Sequence, residues 1–207
     1  MPFWATMVPM SPRLVLASAS PARLGLLRGA GLTPEVVVSG VSEQDVDAPD
    51  TRTLVAVLAR RKAEAVAAAH GVAGALVLGC DSLLDVDGEA RGKPGRPDVA
   101  RRWWRDQRGR PATLLTGHCL IDTTSGRVEE GVVGTLIRFG QPSDREIDAY
   151  VASGEPLAVA GGFTLEGRGG AFVDGIEGDS NNVIGLSLAL LRRLLASLGL
   201  DLTELWS

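Results

Sequence analysis

Residues 14–23 read Leu-Val-Leu-Ala-Ser-Ala-Ser-Pro-Ala-Arg. The four apolar residues at 14–17 have the composition of a buried strand. Ser18, Ser20 and Pro21 then break the run. Proline lacks the N–H that the first turn of a helix leaves unused, and a preceding serine can accept a hydrogen bond from that turn. Ser20 therefore caps a helix that begins at Pro21 and closes at Gly31. A strand feeding directly into a helix is the opening unit of an α/β fold.

The same alternation continues along the chain. Strand-like runs lie at 35–38, 75–78, 114–121 and 132–137. Helical patterns lie between and after them: an alanine-rich stretch from Leu54 to Ala69 closed by His70-Gly71, a segment after Pro97 carrying Trp103 and Trp104, and a last helix from Ser187 to Leu198. Ser143-Asp-Arg-Glu146 has the spacing of a capping box and predicts a further helix start. Asp87-Gly88, whose residues both accept positive φ, predicts a hairpin turn. At least one of the two tryptophans belongs to the core, given their helical spacing from Val99 and Ala100.

The chain has 207 residues, 45% of them hydrophobic, which is enough for one substantial core. Residues 13–207 read as one unit, and residues 1–12 as a disordered leader, with Met10 as an alternative start. The 21 Lys and Arg against 25 Asp and Glu leave a net charge of −4, which offers no general attraction for nucleic acid or an anionic membrane. Only two cysteines occur, Cys80 and Cys119, each flanked by apolar or small residues, which indicates neither a disulfide framework nor a paired-ligand zinc site and points to a reduced, cytoplasmic protein. No apolar run approaches the roughly 18 residues of a membrane span.

Candidate chemistry starts at the strand-to-helix turn. A helix N-terminus exposes N–H groups and partial positive charge, and Ser18, Ser20 and Arg23 add donors suited to a phosphate; a plain cap beside a solvated arginine is the alternative. Gly79-Cys80-Asp81-Ser82 follows an apolar strand, where Asp81 is placed either to bind a divalent cation or orient a water, or to cap a turn. Lys93, in Gly92-Lys93-Pro94, is not part of a P-loop, because the glycine spacing is one residue short and proline replaces the magnesium-binding hydroxyl. Glu43 and Lys62 are weak signals individually, and a helix carrying Arg60, Arg61 and Lys62 is ordinarily solvated. His70 and His118 read as structural. The glycine clusters at 160–163 and 167–170 imply tight turns or close backbone approach.

Taken in order, the segments LVLASASPAR, SGVSEQD, LARRKAEA, LVLGCDSLL, GEARGKP, LLTGH, YVASGEP and AGGFTLEGRGGAFVDGIEGDSNNVIGLSL resemble the Maf family of nucleoside triphosphate pyrophosphatases, from Leu14 to about Leu198. The resemblance implies a Maf/ITPase-like α/β fold, an elongated, curved mixed sheet flanked by helices, with two lobes around a central cleft. It also implies cleavage of a nucleoside triphosphate to the monophosphate and pyrophosphate with Mg²⁺ or Mn²⁺, and a homodimer. By position, Asp81 matches the general base, Glu43 an acidic residue that helps hold the metal, and Arg23, Lys62 and Lys93 the basic residues around the triphosphate.

The chain departs from the family pattern at three places associated with base choice or phosphate binding. Ala22 stands where many members have an arginine, Ser82 where a pyrimidine-preferring branch has threonine, and Glu166 where that branch has glutamine. A nucleotide-sensing, cell-division regulatory protein with weak or no turnover is the rival function, and turnover against tight binding without it separates the two.

Overall fold

The computed structural model describes residues 12–43, 46–69 and 71–206. The expected leader, apart from Pro12, and the helix-closing His70 lie outside the described residues. The first unit forms as its side chains dictate. Strand β1 (Arg13–Leu16) leads to helix α1 (Pro21–Gly29), with Pro21 in the first turn and Ser20 Oγ accepting from Arg23 N at 3.3 Å. Gly31, at φ 80°, turns the chain away.

Strand β2 (Glu35–Val36) is shorter than the apolar run predicts. Helix α2 (Thr51–Ala67) starts before Leu54, because the Asp50 carboxylate accepts from Thr53 N at 2.7 Å and caps it. Strand β3 (Ala75–Val86) turns at Asp87 and Gly88, with φ 52° and 89°, into β4 (Glu89–Arg91), as the hairpin reading expects. Helix α3 (Pro97–Gln107), strands β5 (Pro111–Asp122) and β6 (Val128–Phe139), and helix α4 (Asp144–Ala152) follow; Ser143 and Glu146 form the expected capping box. Strand β7 (Val173–Glu177), the short α5 (Ser180–Ile184) and α6 (Leu188–Ser197), capped by Ser187, complete the order.

Seven strands form one mixed sheet in the order β2-β1-β3-β5-β6-β7, with β4 paired beside β3. β1 is parallel to β2 and β3, and the remaining pairs are antiparallel. Three long strands, β3, β5 and β6, run through two lobes. At one end, Leu16, Leu27, Leu78, Leu191 and Leu195 pack on one face of the sheet, while Val15, Ala59, Ala63, Val66 and Val77 pack under α2 on the other. At the other end, Trp104 is fully buried among Leu84, Ile137, Ile147 and Phe163, and meets Phe139, Tyr150 and Phe172 edge-on at 5.5, 5.5 and 5.7 Å.

The cleft between the lobes comes from a gap in the strand pairing. β1 pairs with β3 up to Leu16–Leu78, and β4 begins at Leu84–Arg91. Between those limits β3 is paired to β5 alone, so its other edge is open at residues 79–83. Ligand crevices in α/β sheets open outside the carboxyl end of a strand where neighbours diverge, and here that strand is β1. Asp81 therefore lies mid-strand, five residues before the end of β3. This corrects the reading of Gly79 as a strand end. Gly79 is required by packing: a Cβ there would lie 2.3 Å from Ala59 O of α2, and one at Gly117 would lie 2.2 Å from Val55 O.

Candidate active site

The open edge is the floor of a cleft of about 560 Å³. Ser18, Ser20, Ala22 and Arg23 line one side; Glu43, Lys62, Asp81 and Ser82 the floor; Lys93 and Glu166 the rim. Every site residue expected from the sequence is thus brought to one cavity. Successive side chains of a strand face opposite sides of the sheet, so Asp81 and Ser82 belong to different faces. The gap in pairing lets a single ligand reach both.

On the α2 face, Lys62 Nζ donates to Asp81 Oδ1 and to Glu43 Oε1, each at 2.5 Å. Lys62 is buried although its neighbours Arg60 and Arg61 are exposed. It sits in the apolar stripe Val55, Leu58, Ala59, Lys62, Ala63 and Val66 that packs on the sheet. That stripe was a sequence signal: a lysine at a core-facing position of an amphipathic helix needs a buried partner.

The two carboxylates are held differently. Asp81 is 4% exposed, and burial pushes its carboxyl above the ordinary range against the opposing pull of Lys62 and Arg23. Glu43 lies in an irregular segment nearer solvent. Burial raises it too, but the Lys62 hydrogen bond and the charges of Lys62, Lys93 and Arg23 outweigh that and hold it below the usual value. The two carboxylates converge on the Lys62 ammonium, and hard oxygen ligands of this kind are those Mg²⁺ or Mn²⁺ takes, one or two at a time, with phosphate and water filling the remaining positions. Among the described residues no group of three or more His, Cys, Asp or Glu is placed to hold a metal ion.

On the opposite face, Arg23 is also buried. Its Nε donates to Gly185 O at 2.7 Å, Nη1 to Ser18 Oγ at 3.2 Å and Nη2 to Ser82 Oγ at 2.9 Å. Three of the five guanidinium N–H groups are thereby fixed, and two remain for an anion. Ser18 Oγ and Ser20 Oγ both act as acceptors, from Arg23 Nη1 and Ser20 N and from Arg23 N respectively, so each hydroxyl keeps its proton to donate. The Gly185 carbonyl was not foreseen, because a backbone acceptor has no side-chain signature. Val38, Val183 and Ile184 add an apolar wall that was not foreseen either, because isolated aliphatic residues look the same in a core and in a cleft.

The late glycines build the rim. Gly161 and Gly162 have φ 67° and 68°, and their carbonyls accept from Gln107 Nε2 at 3.3 Å and Trp104 Nε1 at 2.8 Å. Gly161 N donates to Gly92 O at 2.9 Å, which ties this turn to the segment carrying Lys93. Lys93 and Glu166 are exposed at the mouth. Glu166 and Ala22 also border a shallower groove of about 410 Å³ beside the cleft. His118 is structural, as expected: Nε2 accepts from Ser187 N at 2.9 Å, Nδ1 faces Thr116 O at 3.2 Å, and burial lowers its pKa to about 4. Cys80 and Cys119 are buried and free, and burial pushes the Cys80 thiol up to about 11. Among the described residues no helix is long and apolar enough to cross a membrane.

Residues 13–198 match the family model described as Maf-like protein. A protein of Streptomyces coelicolor named nucleoside triphosphate pyrophosphatase is 62% identical over 94% of this chain and 95% of its own length. Proteins of the same name from Streptomyces avermitilis and Saccharopolyspora erythraea are 57% and 51% identical, over 94% of this chain and 95% and 97% of theirs. A solved structure, the Ham1 protein of Staphylococcus aureus, overlaps 62% of this chain and 72% of its own with a TM-score of 0.43 at 16% identity, too distant to bear on the fold. The family match across almost the whole described chain, and relatives more than half identical to it, establish that this chain belongs to the Maf-like protein family.

Proposed function

We propose that the protein hydrolyses nucleoside triphosphates, ribo or deoxy, standard or modified, between the α- and β-phosphates, releasing the monophosphate and pyrophosphate. The observation that carries this reading is the convergence of three cations, Arg23, Lys62 and Lys93, with the carboxylates of Asp81 and Glu43 around one cleft. Relatives named nucleoside triphosphate pyrophosphatase, at 51–62% identity, place the chain in a hydrolase class.

A triphosphate carries about four negative charges, which a net-acidic protein can bind only where cations are gathered. The two uncommitted N–H groups of Arg23, the hydroxyl protons of Ser18 and Ser20, and the ammonium of Lys93 grip the phosphates. Asp81 accepts the proton of a water that attacks the α-phosphorus in line with the leaving oxygen. The bond from that phosphorus to the bridging oxygen breaks, and the electron pair leaves on pyrophosphate, where Arg23, Lys62 and Lys93 neutralise it. A carboxylate whose proton affinity is raised by burial is a better base than one in water, and Lys62 holds it in place. A divalent cation held by Glu43 and Asp81 would supply further positive charge to the phosphoryl oxygens.

Base choice falls to Ala22 and Glu166 at the mouth, with Ser82 acting through its bond to Arg23. Glu166 can only accept hydrogen bonds when ionised, so it favours a base edge that presents amino or imino donors. The test is a panel of nucleotides incubated with Mg²⁺ or Mn²⁺, with products separated. Monophosphate and pyrophosphate in equal amounts are expected. Diphosphate with orthophosphate would contradict the bond assignment, and tight binding without turnover under either metal would leave a nucleotide sensor.

A further inference from the structure

Behind Ser82 on the cleft floor lies a chain of polar groups, Thr116, Asn182 and Thr135, that do not line the cavity. Thr116, on β5, is fully buried and sits directly opposite Ser82 in the β3–β5 ladder. Its Oγ1 lies 2.9 Å from Ser82 Oγ and donates to the Asn182 carbonyl at 3.1 Å. Asn182 is itself pinned: its Nδ2 donates to Leu114 O at 3.2 Å and to Thr135 Oγ1 at 3.1 Å, and Thr135 Oγ1 donates to Asp179 O at 2.9 Å. The segment containing Asp179, Asn182 and Gly185, which supplies the carbonyl for Arg23 Nε, is thus bolted to β5 and β6.

We infer that Thr116 is a positioning residue for Arg23: it sets the direction of the hydroxyl chain so that Ser82 offers lone pairs to the guanidinium. The inference rests on Arg23 binding phosphate, as in the reading above. A hydroxyl has one proton. Thr116 gives its proton to Asn182 O, so the Ser82 proton goes to Thr116 Oγ1, and the Ser82 lone pairs are left for Arg23 Nη2 at 2.9 Å. The reverse direction would take the hydroxyl donor from the buried Asn182 carbonyl, leaving it only a share of the Gly185 N–H at 3.0 Å, and would let the Ser82 proton compete with a guanidinium N–H, both of which cost free energy. With Nε held on Gly185 O and Nη2 on Ser82 Oγ, the plane of the guanidinium is fixed before a ligand arrives. Preorganisation of this kind affects how well a phosphate is gripped.

Thr116→Val keeps the shape and removes the hydroxyl. Calorimetric titration with inorganic pyrophosphate, with and without Mg²⁺, tests the inference without requiring turnover. Thr116→Val should weaken pyrophosphate binding about tenfold, the scale of one hydrogen bond to a charged group, and Thr116→Ser should restore it to within about threefold. In an Arg23→Ala background, Thr116→Val should change binding by less than about twofold, because the group it positions is gone. Equal loss in both backgrounds, failure of Thr116→Ser to restore, or wild-type binding in Thr116→Val would overturn the inference. Should Thr116→Val not fold, Ser82→Ala combined with Arg23→Ala carries the same expectation of non-additivity.

The outcomes separate this inference from the hydrolytic reading. Pyrophosphate binding with Arg23–Thr116 coupling, but no release of pyrophosphate from any triphosphate, would sink hydrolysis and keep the positioning role. Turnover with additive losses would do the reverse. A wild-type protein that binds no pyrophosphate would sink the positioning role, and the nucleotide panel would still decide hydrolysis.

Discussion

Lys62 and Arg91 are both buried cations set between two carboxylates, and they serve different ends. Arg91, on β4, is 3% exposed and donates Nη2 to Glu89 Oε2 at 2.8 Å and to Asp106. Its guanidinium also lies 5.7 Å from the Trp103 ring centre. Both of its carboxylates reach solvent, and Arg91 holds the Asp106 carboxyl below its usual range. Lys62 is equally well paired, but one partner, Asp81, is almost wholly buried at the open edge of β3 and is raised rather than lowered. Pairing alone therefore does not mark a site. A carboxylate that is desolvated, yet faces a cavity, retains the proton affinity and the access that chemistry needs.

The largest effect that could break this contrast is at the carboxylates. Asp81→Asn should lower kcat about 10³-fold while the protein still folds, and Asp106→Asn should leave kcat within about twofold; comparable losses from both would erase the distinction. Next come the cations. Lys62→Met should reduce kcat/KM about 100-fold. Arg91→Met should instead reduce stability by about 2 kcal/mol in urea unfolding, since its stranded carboxylates can turn to water, and the folded fraction should keep its turnover.

His118 offers a third case: among the described residues it is a buried ionisable group hydrogen-bonded to backbone groups and to no charged side chain. Its folded pKa of about 4 lies below the ordinary 6.5, so the unfolded chain takes up a proton that the folded protein refuses. That stability is fully present above pH 6.5 and is lost as the pH falls from 6.5 to 4. The loss between pH 7.5 and pH 5 should be about 2 kcal/mol from this group. His118→Gln, compared with the parent at both pH values, should remove most of that difference; an unchanged pH dependence would show that the imidazole is not the group responsible. The smallest effect is at the mouth, where Glu166→Gln should alter the ratio of kcat/KM between amino-bearing and keto-bearing bases about tenfold or less, with little change for the phosphates.

What the sequence revealed follows from where the determining forces act. The β1–α1 turn, the Ser143 capping box and the Asp87-Gly88 hairpin were legible because each is set by side chains a few residues apart. The extent of β3 was not, because Gly79 looks like a terminator and is in fact the space that α2 occupies. Lys62 was hidden among arginines until the apolar stripe of its helix is traced. Glu43 lies in a segment without periodicity, and only the family resemblance singled it out. Thr116 and the Gly185 carbonyl acquire meaning from contacts across more than 30 and 160 residues of chain, which no local pattern encodes.

In the proposed reaction, water held by Asp81 reaches the innermost phosphorus of a bound triphosphate. Hydrolysis in ¹⁸O-labelled water, followed by mass spectrometry of both products, tests it directly. The label should appear in the nucleoside monophosphate and be absent from pyrophosphate. Label in pyrophosphate would place the attack on the β-phosphorus and contradict the account.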